Sequence, residues 1–485
     1  MKSRRWIGTA LVLLGVPLVD ALAQADGKSA TPPAYVVLVV AGADADLRQA
    51  AETIRALHPN ARELAFRPDR LDDLLPELRK IAPGFVCIVA PREVIDLRFA
   101  RRCFLFATRV DDDPFPDFAY GFVTGDDGAH AHAFARNIAM AFARKRKQSI
   151  LKVTSCEGEE SVTRAGTIFG DFAHDLVCVA ADDLDLERHL KWFANRDLIT
   201  VTAHGAVGGM GSGYWSTHID RSAPDLDGAV VISSVCDSGA VSRTYGLDEK
   251  GGLEENAVDA IDSFALSFLR RGAAAYVGGV DGMHGMYTSR VYEAVLLDGR
   301  SLGEAVKTLQ DRMALELVDR KFAPERLLDL QKNDEDEAFN TVANLVVYGD
   351  PAMRLFPARL ERLRVQFLPE SGGVINATVA IDLEEFEAAH WVRSKYRLRD
   401  GKWGTECGFP LAWPDRRTPT AVRVGKSNVA AMAGRPAIFA VEQAGPARFL
   451  HVCVVYEADP DTVEAQVTQE GYRVELEIEV EGKGK

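Results

Sequence analysis

Four short runs of apolar and β-branched residues constrain the fold most strongly. Residues 35–40, 85–89, 198–202 and 229–233 are composed mostly of such side chains. A strand that is apolar on both faces is typical of a parallel sheet with helices covering both sides. Segments with helical patterning lie between these runs. This alternation predicts an α/β domain built on a mostly parallel sheet.

The other predicted elements of this domain are shorter or less regular. Two further apolar runs, Phe104–Ala107 and Ala273–Val277, are predicted as strands. Helices are predicted over 45–57, 130–144, 261–271, 292–298 and 302–317. The α/β domain as a whole is predicted to span 33–357.

The hydrophobic pattern changes after Pro357. Residues 363–367, 374–383 and 467–480 alternate between apolar and polar side chains, whereas 449–455 is a continuous apolar run. A period of two indicates strands with one buried face, and no clear helical pattern interrupts them. We therefore predict a small all-β, immunoglobulin-like sandwich over 360–485.

The first 25 residues have the order of a secretory signal peptide. Lys2, Arg4 and Arg5 precede an apolar run over 6–19, and small residues at Ala21 and beyond follow it. The run is too short for a comfortable membrane span, so cleavage is favoured over an uncleaved anchor. The mature chain has no other long apolar run. We expect it to be secreted, periplasmic or on the cell surface, without a membrane span.

The charge balance limits the class of partner. The chain carries 57 Lys and Arg against 71 Asp and Glu, a formal net charge of −14. Phosphate backbones are bound by basic surfaces, so we expect no nucleic-acid partner. The sequence leaves the oligomeric state open.

Two of the apolar runs end in a reactive residue. The run at 198–202 is followed by Ala203, His204 and Gly205, and the run at 229–233 is followed by Ser234, Val235 and Cys236. In an open α/β sheet, ligands bind beyond the carboxyl ends of the strands. If these two strands are neighbours, His204 and Cys236 meet at that edge.

This pair suits nucleophilic catalysis. A thiol attacks a carbonyl as the thiolate, and a nearby imidazole exchanges its proton. Gly205 lets backbone approach the substrate, and the N–H groups of Gly205 and Cys236 are candidates for an oxyanion hole. A glycine-rich stretch at 208–213 is predicted to be a flexible loop beside the site. The simpler interpretation is a buried structural thiol and a hydrogen-bonded strand-end histidine.

The ordered set of motifs resembles the gingipain family within the caspase-like clan of cysteine peptidases. Three later stretches, 267–278, 296–305 and 344–355, resemble the helix, strand and closing segments that follow the nucleophile in that family. The resemblance covers about 35–357. It implies a caspase/gingipain-like parallel sheet, followed by an immunoglobulin-like domain.

The resemblance also implies roles for individual residues. The chain would be a secreted endopeptidase acting on a protein or peptide substrate, with Cys236 as nucleophile and His204 as general acid and base. Thr202 and Ser234 would border the primary substrate pocket. A second wall would come from the loop that contains Asp281, Met283 and His284.

Three features depart from the family pattern. Val235 stands before the nucleophile where the family often has a smaller residue, and 241–256 resembles an insertion. The acidic residue that selects basic substrates in the best-known members is not identified; Glu157, Glu159 and Asp171 are candidates. A second interpretation is therefore a non-catalytic, caspase-like binding or scaffold protein. The related CHAT group shares the His-Gly and Cys-x-Ser/Thr-Gly patterns.

Cysteine pairing and cofactors are less constrained. Of seven cysteines, six remain if Cys236 is the nucleophile, and their possible pairs are Cys87–Cys103, Cys156–Cys178 and Cys407–Cys453. No cofactor is required by this chemistry. A structural calcium ion at Asp111–Asp113 or at 182–187 is possible, since carboxylates are its usual ligands and gingipain relatives bind calcium.

Overall fold

The fold was obtained as a computed structural model. It describes residues 33–156, 162–169, 172–180, 187–211, 213–248, 250–282, 285–296, 298–320, 323–330, 342–357, 363–381, 395–397, 403–428, 437–444, 447–456 and 471–481. The predicted signal peptide at 1–25 lies outside these residues, and the domain boundaries at 357 and 360 stay predictions. No helix within the described ranges is both long and apolar enough to cross a membrane.

Eleven strands of the first part form one large sheet. The strands of this part are β1 (Ala34–Val40), β2 (Arg62–Phe66), β3 (Pro83–Val89), β4 (Ala119–Val123), β5 (Ser149–Cys156), β6 (Val162–Phe169), β7 (Phe172–Ala180), β8 (Leu198–Thr202), β9 (Gly205–Ala206), β10 (Gly209–Met210), β11 (Val230–Ser234), β12 (Arg243–Leu247), β13 (Leu253–Ala257), β14 (Ala275–Gly279) and β15 (Leu345–Tyr348). The large sheet has the order β2-β1-β3-β4-β15-β14-β11-β8-β5-β7-β6. The β9–β10 and β12–β13 pairs are separate hairpins.

The large sheet is parallel except at two places. Strand β15 runs antiparallel to β14, and β6 runs antiparallel to β7. The β14–β15 junction therefore joins two parallel halves, β2-β1-β3-β4-β15 and β14-β11-β8-β5-β7. The mostly parallel sheet predicted from the apolar runs is confirmed.

Helices flank this sheet. They are α1 (Ala45–Leu57), α2 (Leu75–Ile81), α3 (Leu97–Ala107), α4 (Gly128–Ala143), α5 (Glu187–Leu190), α6 (Ser216–Ser222), α7 (Phe264–Arg270), α8 (Gly285–Leu296) and α9 (Leu302–Arg320), with 3₁₀ turns at Leu71–Leu74, Arg92–Val94, Lys191–Phe193, Ala260–Asp262 and Pro324–Leu328. Several starts follow from side-chain caps. Asp44, Asp96 and Asp127 each accept a hydrogen bond from a backbone N–H in the first helical turn.

The predicted strand at Phe104–Ala107 is wrong, because these residues form the last turn of α3. Asp96 caps the start of that helix, and almost every residue from Leu97 to Ala107 is buried. The exposed Arg98 and Arg102 give the start of α3 a polar stripe, but residues 103–107 at its end are all buried. A final turn without a polar side chain resembles a buried strand over a short window.

The second part is a sandwich of two antiparallel sheets. Its strands are β16 (Leu363–Phe367), β17 (Val374–Ile381), β18 (Lys395–Arg397), β19 (Trp403–Ala412), β20 (Pro419–Ser427), β21 (Ile438–Ala444), β22 (Ala447–Tyr456) and β23 (Tyr472–Val480). The sheet orders are β16-β17-β23-β20 and β18-β19-β22-β21. Apolar residues from both sheets form one shared core. The predicted all-β second part is confirmed.

The sandwich packs against the α/β part through the outer face of β21 and β22. Along β22, Leu450, Val452 and Val454 belong to the sandwich core, as expected for alternate residues of one strand. Cys453, on the opposite face, belongs to a separate apolar cluster with Leu315 of α9. Both faces of β22 are therefore buried.

A buried ionic cluster completes this interface. The Lys307 ammonium of α9 donates to Asp311 at 2.8 Å and to Glu442 of β21 at 2.7 Å. The imidazole Nε2 of His451 lies 2.6 Å from Glu442, and its ring stacks on Phe115 at 4.3 Å. Burial raises the pKa of Asp311 to about 6, against the opposing effect of the Lys307 charge. One ammonium thus offsets two buried carboxylates across the interface.

The three possible disulfides are not formed. Cys87, Cys103, Cys178 and Cys453 are thiols. The register places Cys453 opposite Gly408 rather than beside Cys407. In the same way, the register places Cys178 opposite Thr154 of β5 rather than opposite Cys156.

The acidic run at Asp111–Asp113 contributes to the same interface. Asp113 accepts hydrogen bonds from the backbone N–H groups of Phe115, at 2.8 Å, and Gln443 of β21, at 2.7 Å. Calcium binding at this run stays a prediction. The second acidic candidate, 182–187, lies almost wholly outside the described residues.

We expect Lys307→Met to destabilise the protein by about 3–5 kcal/mol, because it leaves two buried carboxylates without their cation. The measurement is the free energy of unfolding in urea. The matched control is Lys426→Met, since Lys426 pairs with Glu475 at 3.9 Å while 81% of its side chain is exposed. The control should change stability by less than about 0.5 kcal/mol. Equal effects of the two substitutions would contradict this account.

Candidate active site

His204 and Cys236 lie at the same edge of the sheet. Strands β8 and β11 are parallel neighbours, and their register pairs Thr202 with Ser234. His204 and Cys236 each follow two residues later, beyond the carboxyl ends of these strands. His204 is exposed and Cys236 is half-buried. This is the edge at which open α/β sheets bind their ligands.

Gly205 brings the backbone after His204 against the turn that carries Cys236. A Cβ added to Gly205 would overlap Cγ1 of Val235 and the carbonyl oxygen of Gly209. Val235, the departure from the family pattern, therefore fills the space that Gly205 leaves. Any residue larger than glycine at position 205 would push the loop after His204 away from the turn that carries Cys236.

The glycine-rich stretch after His204 is more ordered than the predicted flexible loop. Residues 205–206 and 209–210 form the β9–β10 hairpin, and the N–H of Gly211 donates to the carbonyl of His204 at 2.8 Å. Backbone pairing of this kind needs close approach, which glycine permits. The hairpin holds the position of the histidine backbone.

The first turn of helix α7 binds both the loop that follows His204 and the turn that carries Cys236. The N–H of Phe264 donates to the carbonyl of Val207 at 3.0 Å, and the N–H of Ala265 donates to the carbonyl of Ser238 at 3.1 Å. The next N–H, of Leu266, donates to the hydroxyl of Ser263 at 3.3 Å. The first amides of a helix have no partner within the helix. Here two of them bind the loop that follows His204 and the turn that carries Cys236. We call this arrangement the α7 clamp.

The turn that carries Cys236 is closed by short local hydrogen bonds. The Ser238 hydroxyl donates to the carbonyl of Val235 at 2.8 Å and lies 2.9 Å from the Ser233 hydroxyl. Asp237 has a φ of 57°, a left-handed conformation that aspartate and asparagine tolerate better than most residues. Its N–H donates to the carbonyl of Asp281 at 3.2 Å.

The predicted substrate-binding residues are only partly described. Thr202 is exposed at the end of β8, two residues before His204. The half-buried Ser234 donates its hydroxyl to Thr288 of α8 at 2.6 Å, which ties α8 to the end of β11. Asp281 lies beside the nucleophile turn, with 25% of its side chain exposed. Met283 and His284 lie outside the described residues, as do the candidate specificity acids Glu157, Glu159 and Asp171.

Arg101 is a site-supporting residue that sequence reasoning missed. Its side chain is fully buried in α3; it donates to Asn344 at 3.0 Å and lies 4.0 Å from Asp281. Asn344 in turn donates to the carbonyl of Gly282 at 3.3 Å. Burial lowers the pKa of Arg101 to about 10, so the guanidinium stays charged at neutral pH. An arginine among the apolar residues of α3 was the available signal.

Two carboxyl groups meet beside the nucleophile. Burial, and secondly the charge of Asp281, raises the pKa of Asp237 to about 6. Burial also raises the pKa of Asp281, while a hydrogen bond from Gly282 and the charge of Arg101 oppose that shift. Asp237 therefore adds negative charge at the Cys236 turn above about pH 6.

The segment predicted as an insertion is the β12–β13 hairpin. The Tyr245 hydroxyl donates to Asp96 at 2.6 Å, and the Arg92 guanidinium donates to the carbonyls of Val241 and Val258 at 2.8 Å each. These contacts tie the base of the hairpin to the first half of the sheet. The hairpin follows the nucleophile turn directly in the chain.

Comparison with known proteins gives likenesses in structure only. No family model matches the chain, and no curated protein sequence matches it. Gingipain R, an Arg-specific cysteine proteinase, is similar with a TM-score of 0.43 and 11% identity, over 73% of this chain and 86% of that one. A complex of the pro- and mature domains of RgpB from Porphyromonas gingivalis gives a TM-score of 0.44 and 10% identity, over 73% and 87%.

A third solved structure, titled only as a protease, extends over more of the chain. It has a TM-score of 0.44 and 10% identity, and the match covers 88% of this chain and 95% of that one. Gingipains are thus among the solved structures that the chain resembles, as its motifs predict. At these TM-scores the likenesses do not bear on the chemistry of the site.

Gly205→Ala should move the loop after His204 away from the turn that carries Cys236, because the added methyl group has no space beside Val235 and Gly209. We expect at least a tenfold lower rate of Cys236 alkylation by iodoacetamide at pH 7, with the folded state retained by circular dichroism. Gly246→Ala is the matched control, since a Cβ at Gly246 meets nothing within 4 Å. Unchanged alkylation in Gly205→Ala would contradict this packing.

Asp237→Asn should stabilise the protein above pH 6 by about 3 kcal/mol. The native state holds the Asp237 proton up to a pKa of about 6, whereas the ordinary value is 3.8. The stability that this group contributes is therefore lost as pH rises from about 4 to about 6, and asparagine removes that loss. The measurement is urea unfolding at pH 4.5 and 7.5. The control Asp259→Asn, at an exposed residue, should leave the difference in unfolding free energy between the two pH values unchanged. The same difference in Asp237→Asn as in the unmodified protein would contradict the raised pKa of Asp237.

Proposed function

We propose that this protein is a cysteine endopeptidase that hydrolyses peptide bonds through Cys236 and His204. The observation that carries the proposal is the α7 clamp. One helix N-terminus binds both the loop that follows His204 and the turn that carries Cys236, at the ligand-binding edge of the sheet. His204 and Cys236 themselves follow the parallel neighbours β8 and β11, so the clamp holds a candidate base and a candidate nucleophile at one edge.

In the proposed reaction, the Cys236 sulfur attacks the carbonyl carbon of the scissile peptide bond, and its proton passes to His204. The tetrahedral oxyanion accepts hydrogen bonds from the N–H groups of Gly205 and Cys236. His204 then donates the proton to the leaving amine, and the C–N bond breaks to leave a thioester. Water, deprotonated by His204, hydrolyses the thioester and regenerates the thiol.

The substrate pocket and the location of the enzyme are part of the same proposal. Thr202 and Ser234 border the pocket, and the segment with Asp281, Met283 and His284 forms its second wall. The signal-like segment at 1–25 supports export, with action outside the cytoplasm. A structural calcium ion remains an addition to this proposal and is not needed for the reaction.

The decisive test compares thiol labelling and peptide cleavage in matched variants. We expect Cys236→Ala to abolish cleavage of a fluorogenic peptide library, and His204→Ala to lower it by at least 10³-fold. Iodoacetamide labelling of Cys236 at pH 6–7 should fall at least tenfold in His204→Ala. The control is Cys178→Ala, which removes a second thiol but should retain full activity.

Two results would contradict the proposal. One is full cleavage by Cys236→Ala. The other is labelling of Cys236 that follows the pH profile of a simple cysteine amide and ignores His204. The second result, in a folded protein that cleaves no peptide, would favour the non-catalytic binding interpretation.

A further inference from the structure

An exposed tryptophan stands close to the candidate active site. Trp215 has 43% of its surface exposed, whereas its neighbour Tyr214 has 1%. Tryptophan is highly buried on average, so this exposure calls for an explanation. Exposed aromatic side chains on a rigid frame are typical anchors for a bound partner.

The backbone at Trp215 is fixed by the loop after His204. The N–H of Ser216 donates to the carbonyl of Gly208 at 2.7 Å, and the N–H of Met210 donates to the carbonyl of Tyr214 at 2.9 Å. The carbonyl of Trp215 accepts from Ile219 in the first turn of α6 at 3.2 Å. Binding at this indole would therefore cost little backbone ordering.

A second exposed apolar side chain borders the same backbone. A Cβ at Gly208 would lie 2.9 Å from Cε3 of Trp215 and 3.5 Å from the carbonyl oxygen of Asp262. The Trp215 indole and the 260–262 turn therefore both lie next to Gly208. Ile261, in that turn, has 54% of its surface exposed. We call Trp215, Ile261 and the intervening Gly208 backbone the apolar shelf.

The apolar shelf is continuous with the candidate active site. Gly208 lies four residues after His204, and the α7 clamp binds Val207, directly before the shelf. In the proposed reaction, His204 donates its proton to the leaving amine. The part of the substrate that carries this amine must therefore lie on the His204 side of the nucleophile. The shelf is on the segment that extends from that side.

We propose that the apolar shelf binds an apolar side chain of the polypeptide substrate, one to three residues after the scissile bond. This inference rests on the proposed function and deepens it, because it names a substrate class: polypeptides with leucine, phenylalanine or a similar residue on the leaving-group side. Trp215 and Ile261 are the specificity-determining residues. Both side chains are exposed, so a substrate can cover them.

The test uses peptides that differ at one position. Fluorogenic peptides carry a single leucine at the first, second or third residue after the scissile bond, in an otherwise glycine and serine background. We expect kcat/KM for one leucine position to exceed that of the all-glycine peptide by about tenfold, the usual effect of one apolar contact. Trp215→Ala should reduce this ratio to about 1–2, and Ile261→Ser should reduce it partly.

The matched control is Met140→Ala. Met140 lies on α4 and is 64% exposed. Its removal therefore deletes an exposed apolar side chain that is not part of the shelf. Its leucine preference should equal that of the unmodified protein. Activity of Met140→Ala on the all-glycine peptide should also match that of the unmodified protein within about twofold. A leucine preference that survives in Trp215→Ala would overturn the inference.

A binding measurement separates this inference from the proposed function. The same peptides are titrated calorimetrically into Cys236→Ala and into the Cys236→Ala, Trp215→Ala double variant. Tighter binding of the leucine peptide by at least fivefold in the first, lost in the second, supports the shelf even if no variant cleaves any peptide. Equal affinities for leucine and glycine peptides in Cys236→Ala would overturn the shelf, while cleavage by the unmodified protein would leave the peptidase proposal intact.

Discussion

The hydrogen bonds from the first turn of α7 hold the candidate site together. A helix start leaves backbone amides that must find acceptors outside the helix, and in α7 the acceptors are the carbonyls of Val207 and Ser238. Because these amides need acceptors, their hydrogen bonds fix the spacing between the loop after His204 and the turn that carries Cys236. Side-chain chemistry at His204 and Cys236 depends on this backbone arrangement. This arrangement adds little free-energy cost, because the first amides of a helix need hydrogen-bond acceptors in any fold.

The candidate site lies within one half of the large sheet, and β14 separates it from the junction between the halves. Strands β8 and β11 belong to one parallel half, and β15 ends the other. The buried Arg101 extends from the β2-β1-β3-β4-β15 half and reaches the segment after β14 through Asn344 and Asp281. One wall of the proposed substrate pocket is thus supported by a cation from the half that does not contain β8 and β11.

Much of the framework could be predicted from the sequence, because buried parallel strands have a distinctive composition. The runs at β1, β3, β8 and β11 are predicted correctly, and the residues that follow β8 and β11 lie on one edge because these two strands are parallel neighbours. The prediction at Phe104–Ala107 is wrong because the last turn of α3, unlike its start, has no polar side chain. The α7 clamp could not be predicted either, since it consists of backbone groups that any residue carries.

Long-range electrostatic contacts were equally hidden from sequence reasoning. Arg101 and Asp281 are far apart in the chain, and neither lies in a motif with fixed spacing. The same holds for Lys307 and Glu442. Asp237 was visible only as the residue after the nucleophile. Its burial, and the carboxylate it faces, depend on the register of β11 and β14, which no local pattern encodes.

The two buried faces of β22 have a consequence for how the chain folds. Leu450 and Val452 need the sandwich core, whereas Cys453 and His451 need α9 and the segment at Phe115. Neither part can therefore bury all of these side chains until the other part has folded. Sequence composition divides the chain near residue 360, but the cooperative unit crosses that division. The α/β part and the sandwich should melt in one transition, so that loss of the sandwich is transmitted through α9 to the large sheet.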